Sequence, residues 1–254
     1  MDKRKSRNDL DSNAMLTQPV TGKDDSVEFK TVVLPKAMIL DARIPDDVIK
    51  DLNAYLDAIY DSDDRRSYSH SLVGQIKQGQ QLEMNPAHPA VRAYTQALCE
   101  LGARYIDAFG RDIGTDYPQS SVSVDSMWSV HSYAGDYNPM HSHSNDSFVG
   151  LATVLWTRVP QAIRERTDSD QKNASGAADG CLELHYGSSW TNDFRMFKVP
   201  QYKIMRPAEG QQILFPNWME HAVYPFSCEG ERRSVVANLN VFPVKKEHDI
   251  LKRQ

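Results

Sequence analysis

The chain is short of the features that mark several large classes of protein. Among its 254 residues are only three cysteines, Cys99, Cys181 and Cys228, far apart in sequence. An odd number without close spacing builds neither a disulfide framework nor a thiolate metal site, so reduced thiols in a cytoplasmic setting are expected. No run of about 18 apolar residues is present, and a membrane span is not expected. The opening MDKRKSRNDLDSNAM is basic but has no apolar stretch behind it, which does not read as a signal peptide. Positive charge is in deficit as well. There are 29 Lys and Arg against 34 Asp and Glu, a net charge of −5, whereas non-specific nucleic-acid binding needs a basic surface. What is there, 40% hydrophobic and 25% charged residues, is the ordinary composition of a globular domain.

Patterning divides the chain. Residues 1–27 are polar and aperiodic and are expected to form a disordered tail, and 246–254 a charged one. A single domain is expected over 28–245, with helical support from 45–110. FKTVVLPKAMILDARI (29–44) reads as two short strands around Pro35. Pro45, Asp46 and Asp47 open a helix whose Val48, Leu52, Tyr55, Leu56 and Ile59 share one face. A second helix is expected over 89–109, with Val91, Tyr94, Leu98, Leu101, Tyr105 and Phe109 in step and Gly110 as its stop. Between them, LVGQIKQGQQLEM is ambiguous between strand and loop.

Beyond residue 120 helical periodicity vanishes. Seven candidate strands follow, SVSVDSMWSVHSY, DSFVGLATVLWTRV, GCLELHYG, KVPQYKIMRP, GQQILFPNW, HAVYPF and RRSVVANLNVF. So many short segments divided by Gly, Pro, Asn and Asp predict an antiparallel sandwich or barrel, and an α+β class overall. The polar stretch 161–179 reads as a lid or an insertion.

Chemistry concentrates in NPMHSHSNDS. On an extended strand His141 and His143 share a face with Cα atoms about 6.5–7 Å apart. They can lean onto one ion at about 2.0–2.1 Å per metal–nitrogen bond, though taken alone the motif reads more simply as a surface pair. His221 follows in GQQILFPNWMEHAVYPF, and eleven residues later comes RRSVVANLNV. Alternation puts Arg232, Ser234, Val236 and Asn238 on one face and Arg233, Val235, Ala237 and Leu239 on the other. A buried arginine needs an anion, and its guanidinium fork fits a carboxylate. A surface arginine beside Glu231 is the plainer alternative.

In this order the chain resembles the iron(II)- and 2-oxoglutarate-dependent dioxygenases, in particular a branch of small phage and bacterial oxygenases. WSVHSYAGDYNPMHSHSNDSFVGLATVLW and PAEGQQILFPNWMEHAVYPFSCEGERRSVVANLN carry the resemblance over most of 124–243, with a weaker echo in SHSLVGQIKQGQQL (69–82). The resemblance implies a double-stranded β-helix, or jelly roll, buttressed by N-terminal helices. It implies iron(II) on His141, His143 and His221, with Arg232 on the far carboxylate of 2-oxoglutarate. Asn238 and Tyr133 would be further cofactor contacts, and Trp128 would line the pocket. The implied reaction consumes O2, yields succinate and CO2, and hydroxylates a small-molecule or peptide substrate, a peptidyl proline being the favoured version. No nucleic acid or membrane partner is implied.

The wider superfamily has H-x-D or H-x-E where this chain has His141-Ser142-His143, which leaves Asp146 as a substitute ligand. His185 is the leading alternative metal ligand, and His131 is expected at the surface. Ala152 and Thr153 stand where the branch often carries paired tyrosines. Two other readings fit the same residues. One is a three-histidine cupin metalloenzyme that does not use 2-oxoglutarate, and the other is a non-catalytic jelly-roll binding module.

Overall fold

Two antiparallel sheets, with helices outside the larger one, position the histidines and Arg232. The computed structural model describes residues 21–23, 28–30, 37–113, 120–143, 150–166, 178–186 and 201–243. It divides into two units, 1–38 and 39–254. In the first, β1 (Thr21–Lys23) pairs antiparallel with β2 (Glu28–Lys30), so a strand begins inside the stretch expected to be a tail. Residues 1–20, 24–27 and 244–254, which hold the rest of the first expected tail and all of the second, lie outside the described residues.

The second unit runs β3 (Leu40–Arg43), α1 (Asp46–Asp61), a 3-10 turn at Ser69–Ser71, β4 (Gln80–Glu83), α2 (Pro89–Ile113) and β5 (Ser120–Ser132). After these come β6 (Asn138–His141), β7 (Gly150–Arg158), α3 (Gln161–Arg164), β8 (Leu182–His185) and β9 (Tyr202–Met205). It closes with β10 (Gln211–Pro216), β11 (Glu220–Val223) and β12 (Arg232–Pro243). The larger sheet has the order β3-β10-β7-β12-β5-β4 and the smaller β6-β11-β8-β9. This is the expected double-stranded β-helix of an α+β protein. Of the 161–179 segment, 167–177 lies outside the described residues.

The helices form where the apolar spacing predicts. Leu52 and Leu56 of α1, and Val91, Tyr94, Leu98 and Tyr105 of α2, are buried, with α2 against β5 and α1 against β7. Gly102 lets α2 approach closely, since a Cβ there would lie 2.8 Å from Val122 Cγ1. Gly110 does not stop this helix, which continues to Ile113. A glycine costs a helix interior only about 1 kcal/mol, which packing on the sheet offsets.

Arg233 and His131 face the helix layer, and here one expectation is corrected. His131 is fully buried, not at the surface. Its Nδ1 lies 2.7 Å from Glu231 Oε1 and its Nε2 3.0 Å from Ser129 Oγ. Arg233 donates to both Glu231 oxygens at 2.8 and 3.0 Å and to Asp57 Oδ1 at 2.6 Å. Arg158 Nη1 donates to Glu231 Oε2 at 2.6 Å. Ser129, His131 and Glu231 are spaced like a nucleophile relay, but both Ser129 and His131 are inaccessible.

Burial pushes the Glu231 carboxyl up. The hydrogen bonds and charges of His131 and Arg233 outweigh it and hold the pKa down at about 2. A carboxyl depressed in the folded state contributes stability above its unfolded value near pH 4.5, and that contribution is lost as pH falls toward 2. Glu231→Gln leaves two guanidiniums without their shared anion and is expected to cost about 3–5 kcal/mol. Urea unfolding at pH 7 checks this.

Candidate metal centre

Strand pairing itself brings two of the histidines together. His141 on β6 and His221 on β11 are direct partners across the antiparallel ladder, and their ring centroids lie 4.2 Å apart. His143 follows just past the end of β6, where its backbone N–H donates to Asn217 O at 2.9 Å. Asn217 belongs to the corner after β10 that also closes Met219 N to Pro216 O at 2.9 Å. Ring centroids of His143 stand 5.3 Å from His141 and 4.9 Å from His221. One ligand atom from each of the three lies within 4.8 Å of the others.

Hydrogen bonds orient each ring the same way. Nδ1 of His141 lies 2.7 Å from Pro139 O, Nδ1 of His221 3.1 Å from Met219 O, and Nδ1 of His143 2.7 Å from Asn238 Oδ1. Carbonyl oxygens only accept, so each Nδ1 must carry the proton, and the three Nε2 lone pairs are left as metal donors. The Asn238 amide is itself fixed, because its Nδ2 donates to Ser126 Oγ at 3.1 Å. Burial lowers the pKa of all three rings, with His143 at about 4 and His221 further depressed by its two neighbours. Hydrogen bonds to Asn238, Pro139 and Met219 act in the opposite sense but do not prevail. Neutral imidazoles at pH 7 are what a divalent ion requires.

The three histidines line one cavity between the sheets with Arg232, Trp128 and Val236. Arg232 is 2% exposed. Its Nη1 donates to Gly180 O at 3.0 Å and Tyr224 O at 3.2 Å, and its Nη2 to Ser132 Oγ at 3.2 Å. Those bonds use three of five donors and leave Nε–H and one Nη2–H, a side-on fork. Among the described residues no carboxylate pairs with it, and burial lowers its pKa to about 10. Arg233, one residue on, has Glu231 and Asp57. Alternation along β12 therefore sorts two adjacent arginines into a satisfied ion pair and an unmet cation.

Trp128 lines the cavity. Asn238 stands behind His143, bonded to its ring, so it acts on the ligand set. Tyr133 is not among the lining residues. It interacts with Tyr60, Glu231 and Arg233, on the helix side of the sheet. The odd separation between Trp128 and Tyr133 on one strand direction puts them on opposite faces. His185 lies apart from the cluster, bonded to Glu183 and near Tyr202. Asp146 lies outside the described residues. Gln81, Asn138 and Gly74 also line the cavity, and the sequence drew attention to none of them.

Comparison with known proteins now bears on this geometry. Residues 126–238 match the profile of the family described as "Putative 2OG-Fe(II) oxygenase". This segment belongs to that family. It contains Trp128, all three histidines and Arg232. A search of curated protein sequences finds no match. Among solved structures, the oxygenase fold is similar to a prolyl-4-hydroxylase of Pseudomonas putida, with TM-score 0.50 and 15% identity, covering 82% of this chain and 93% of that one. It is also similar to SnoK, a non-heme alpha-ketoglutarate-dependent carbocyclase from nogalamycin biosynthesis, with TM-score 0.54 and 10% identity over 86% and 87% of the chains. HygX of Streptomyces hygroscopicus, solved with nickel and 2-oxoglutarate, has TM-score 0.50 and 10% identity over 81% and 83%. At such identities the likeness is one of fold.

Asn238→Ala is expected to release the His143 ring and weaken divalent-metal affinity roughly 10–100-fold. A competition titration against a chromogenic chelator measures it.

Proposed function

We propose that the protein is an iron(II)- and 2-oxoglutarate-dependent dioxygenase that hydroxylates its substrate. The observation that carries this reading is the buried Arg232, without a carboxylate partner among the described residues, in the same cavity as three convergent Nε2 donors. A buried guanidinium without an anion is costly, by several kcal/mol. A ligand that brings a carboxylate to the fork and can also reach the metal meets both demands, and 2-oxoglutarate is such a ligand.

The donor set fits the ion. Three neutral nitrogens from one side leave further positions open, as oxygenase chemistry requires. Iron(II) with 2-oxoglutarate and O2 supplies oxidative decarboxylation to succinate and CO2, coupled to attack on an unactivated C–H bond. The chain's own residues do the rest. His141, His143 and His221 would hold the iron, each turned by the acceptor on its Nδ1. Arg232 would take the C5-carboxylate through Nε and Nη2, held in place by Gly180 O, Tyr224 O and Ser132 Oγ. Val130, Val154 and Trp156 give the cavity apolar walls that keep water from the reacting atoms.

A peptidyl proline is the favoured substrate in this reading, supported by the fold shared with a prolyl-4-hydroxylase. The same fold also serves a carbocyclase, so fold alone does not choose. A reducing cytoplasm suits the three free thiols. Three neutral histidines also suit zinc, but a zinc hydrolase gives Arg232 no task. Succinate release tests the proposal. Iron-loaded wild-type protein is expected to convert 2-oxoglutarate to succinate in air, and protein that neither binds nor consumes it refutes the reading.

A further inference from the structure

Two side-chain amides line the cavity with oxygens that accept no hydrogen bond among the described residues. Gln81 of β4 is 3% exposed, and Asn138 opens β6. Gln81 Oε1 and Asn138 Oδ1 are both buried and accept no hydrogen bond from each other or from any other group among the described residues. Between them lies Gly74. A Cβ built there would fall against Asn138 Oδ1, 2.7 Å from Gln81 Nε2 and 3.0 Å from Gln81 Oε1. With no side chain on Gly74, both amide ends pack directly against its backbone at the cavity wall. Backbone bonds at Gln75 N to Tyr137 O, 2.8 Å, and Tyr137 N to Gln75 O, 3.4 Å, hold the two segments side by side.

We propose that Gln81 and Asn138, across the bare backbone of Gly74, form a subsite that reads a neutral amide group of the prime substrate. The proposal rests on the 2-oxoglutarate reading of the site and adds the chemical class of the molecule oxidised there. Each carboxamide offers an acceptor beside donors, whichever way the group is turned. Its complement presents a donor and an acceptor side by side. A carboxylate has no donor. An ammonium or guanidinium has no acceptor, and no acidic side chain lines the cavity among the described residues to balance its charge. The one lining cation, Arg232, is committed to the co-substrate. An amide of a peptide or capped amino acid meets the pattern, and the apolar walls at Leu72, Val73 and Val223 suit the carbon skeleton around it.

The test uses the full chain with zinc as a redox-silent stand-in for iron, with 2-oxoglutarate present, and reads binding by saturation-transfer NMR. The probes are N-acetyl-L-prolinamide, N-acetyl-L-proline methyl ester and methyl β-D-glucoside. Wild-type protein is expected to bind the amide about tenfold more tightly than the ester, the scale of one or two neutral hydrogen bonds, and the glucoside more weakly still. Gln81→Leu and Asn138→Leu each remove that preference. Gly74→Ala, whose methyl group must displace both amide ends, does the same without replacing either amide residue. In all three variants 2-oxoglutarate affinity stays within about twofold of wild type, since the metal ligands and Arg232 are untouched.

Equal binding of amide and ester by wild type overturns the proposal, as does a preference that survives in the variants or a glucoside that competes on equal terms. A parallel loss of 2-oxoglutarate affinity overturns it too, because the amides would then serve the co-substrate. Wild-type protein that fails to bind 2-oxoglutarate overturns the co-substrate reading instead. The subsite stands in that case if the variants still abolish the amide preference.

Discussion

Arg232→Met is expected to remain folded and to bind 2-oxoglutarate roughly 30- to 5,000-fold more weakly than wild type, because truncating one partner of a buried charge pair costs about 2–5 kcal/mol. Methionine fills much of the arginine's volume without a charge, so the empty protein loses an unmet buried cation. Its stability is expected to hold or rise, as a urea titration without ligand would show. Arg232→Lys separates charge from shape. A point charge cannot supply the Nε/Nη2 fork, so lysine is expected to recover only part of the affinity. Arg233→Met should behave in the opposite way. It breaks a paired network with Glu231 and Asp57 and lowers stability, while 2-oxoglutarate affinity in the folded fraction persists. The contrast between neighbouring arginines excludes a general effect of removing positive charge.

His221→Ala is expected to abolish stoichiometric metal binding, a loss beyond the roughly 10–100-fold of a hydrogen-bonding partner such as Asn238. Measurement is by metal content after dialysis. The same cluster sets a pH dependence. All three rings have pKa values lowered on folding, so below about pH 6.5 the unfolded chain takes up protons that the folded chain refuses. Metal-free protein is therefore expected to lose stability as pH falls from about 6.5 toward 4, the value near which His143 titrates in the folded state. Bound metal raises stability but keeps the folded rings unprotonated, so it steepens this loss, whereas His221→Ala shallows it.

Much of the site was legible because it lies along strands, where spacing fixes direction. The H-x-H pair, and the sorting of Arg232 from Arg233, follow from a period of two. The same rule, applied between Trp128 and Tyr133, would have set them on opposite faces. His131 reads as a surface residue because nothing local announces the hydrogen-bonded partner it is buried against. Its partner Glu231 is 100 residues away, and α1 covers both. Asn238 was identified as a contact of the site, but its partner turned out to be the His143 ring. Gln81, Asn138 and Gly74 gave little signal. Their segment reads as neither clear strand nor clear loop, and an amide oxygen without a donor is a property of packing.

The central claim is that the three histidines and Arg232 form one site, in which a metal and 2-oxoglutarate depend on each other. Calorimetric titration of 2-oxoglutarate into the protein without oxygen, with and without iron(II), tests it most directly. The account predicts one equivalent bound with iron present and much weaker binding without it. It also predicts that Arg232→Met abolishes the iron-dependent binding. Binding that is equally tight without metal, or that survives Arg232→Met unchanged, would contradict it.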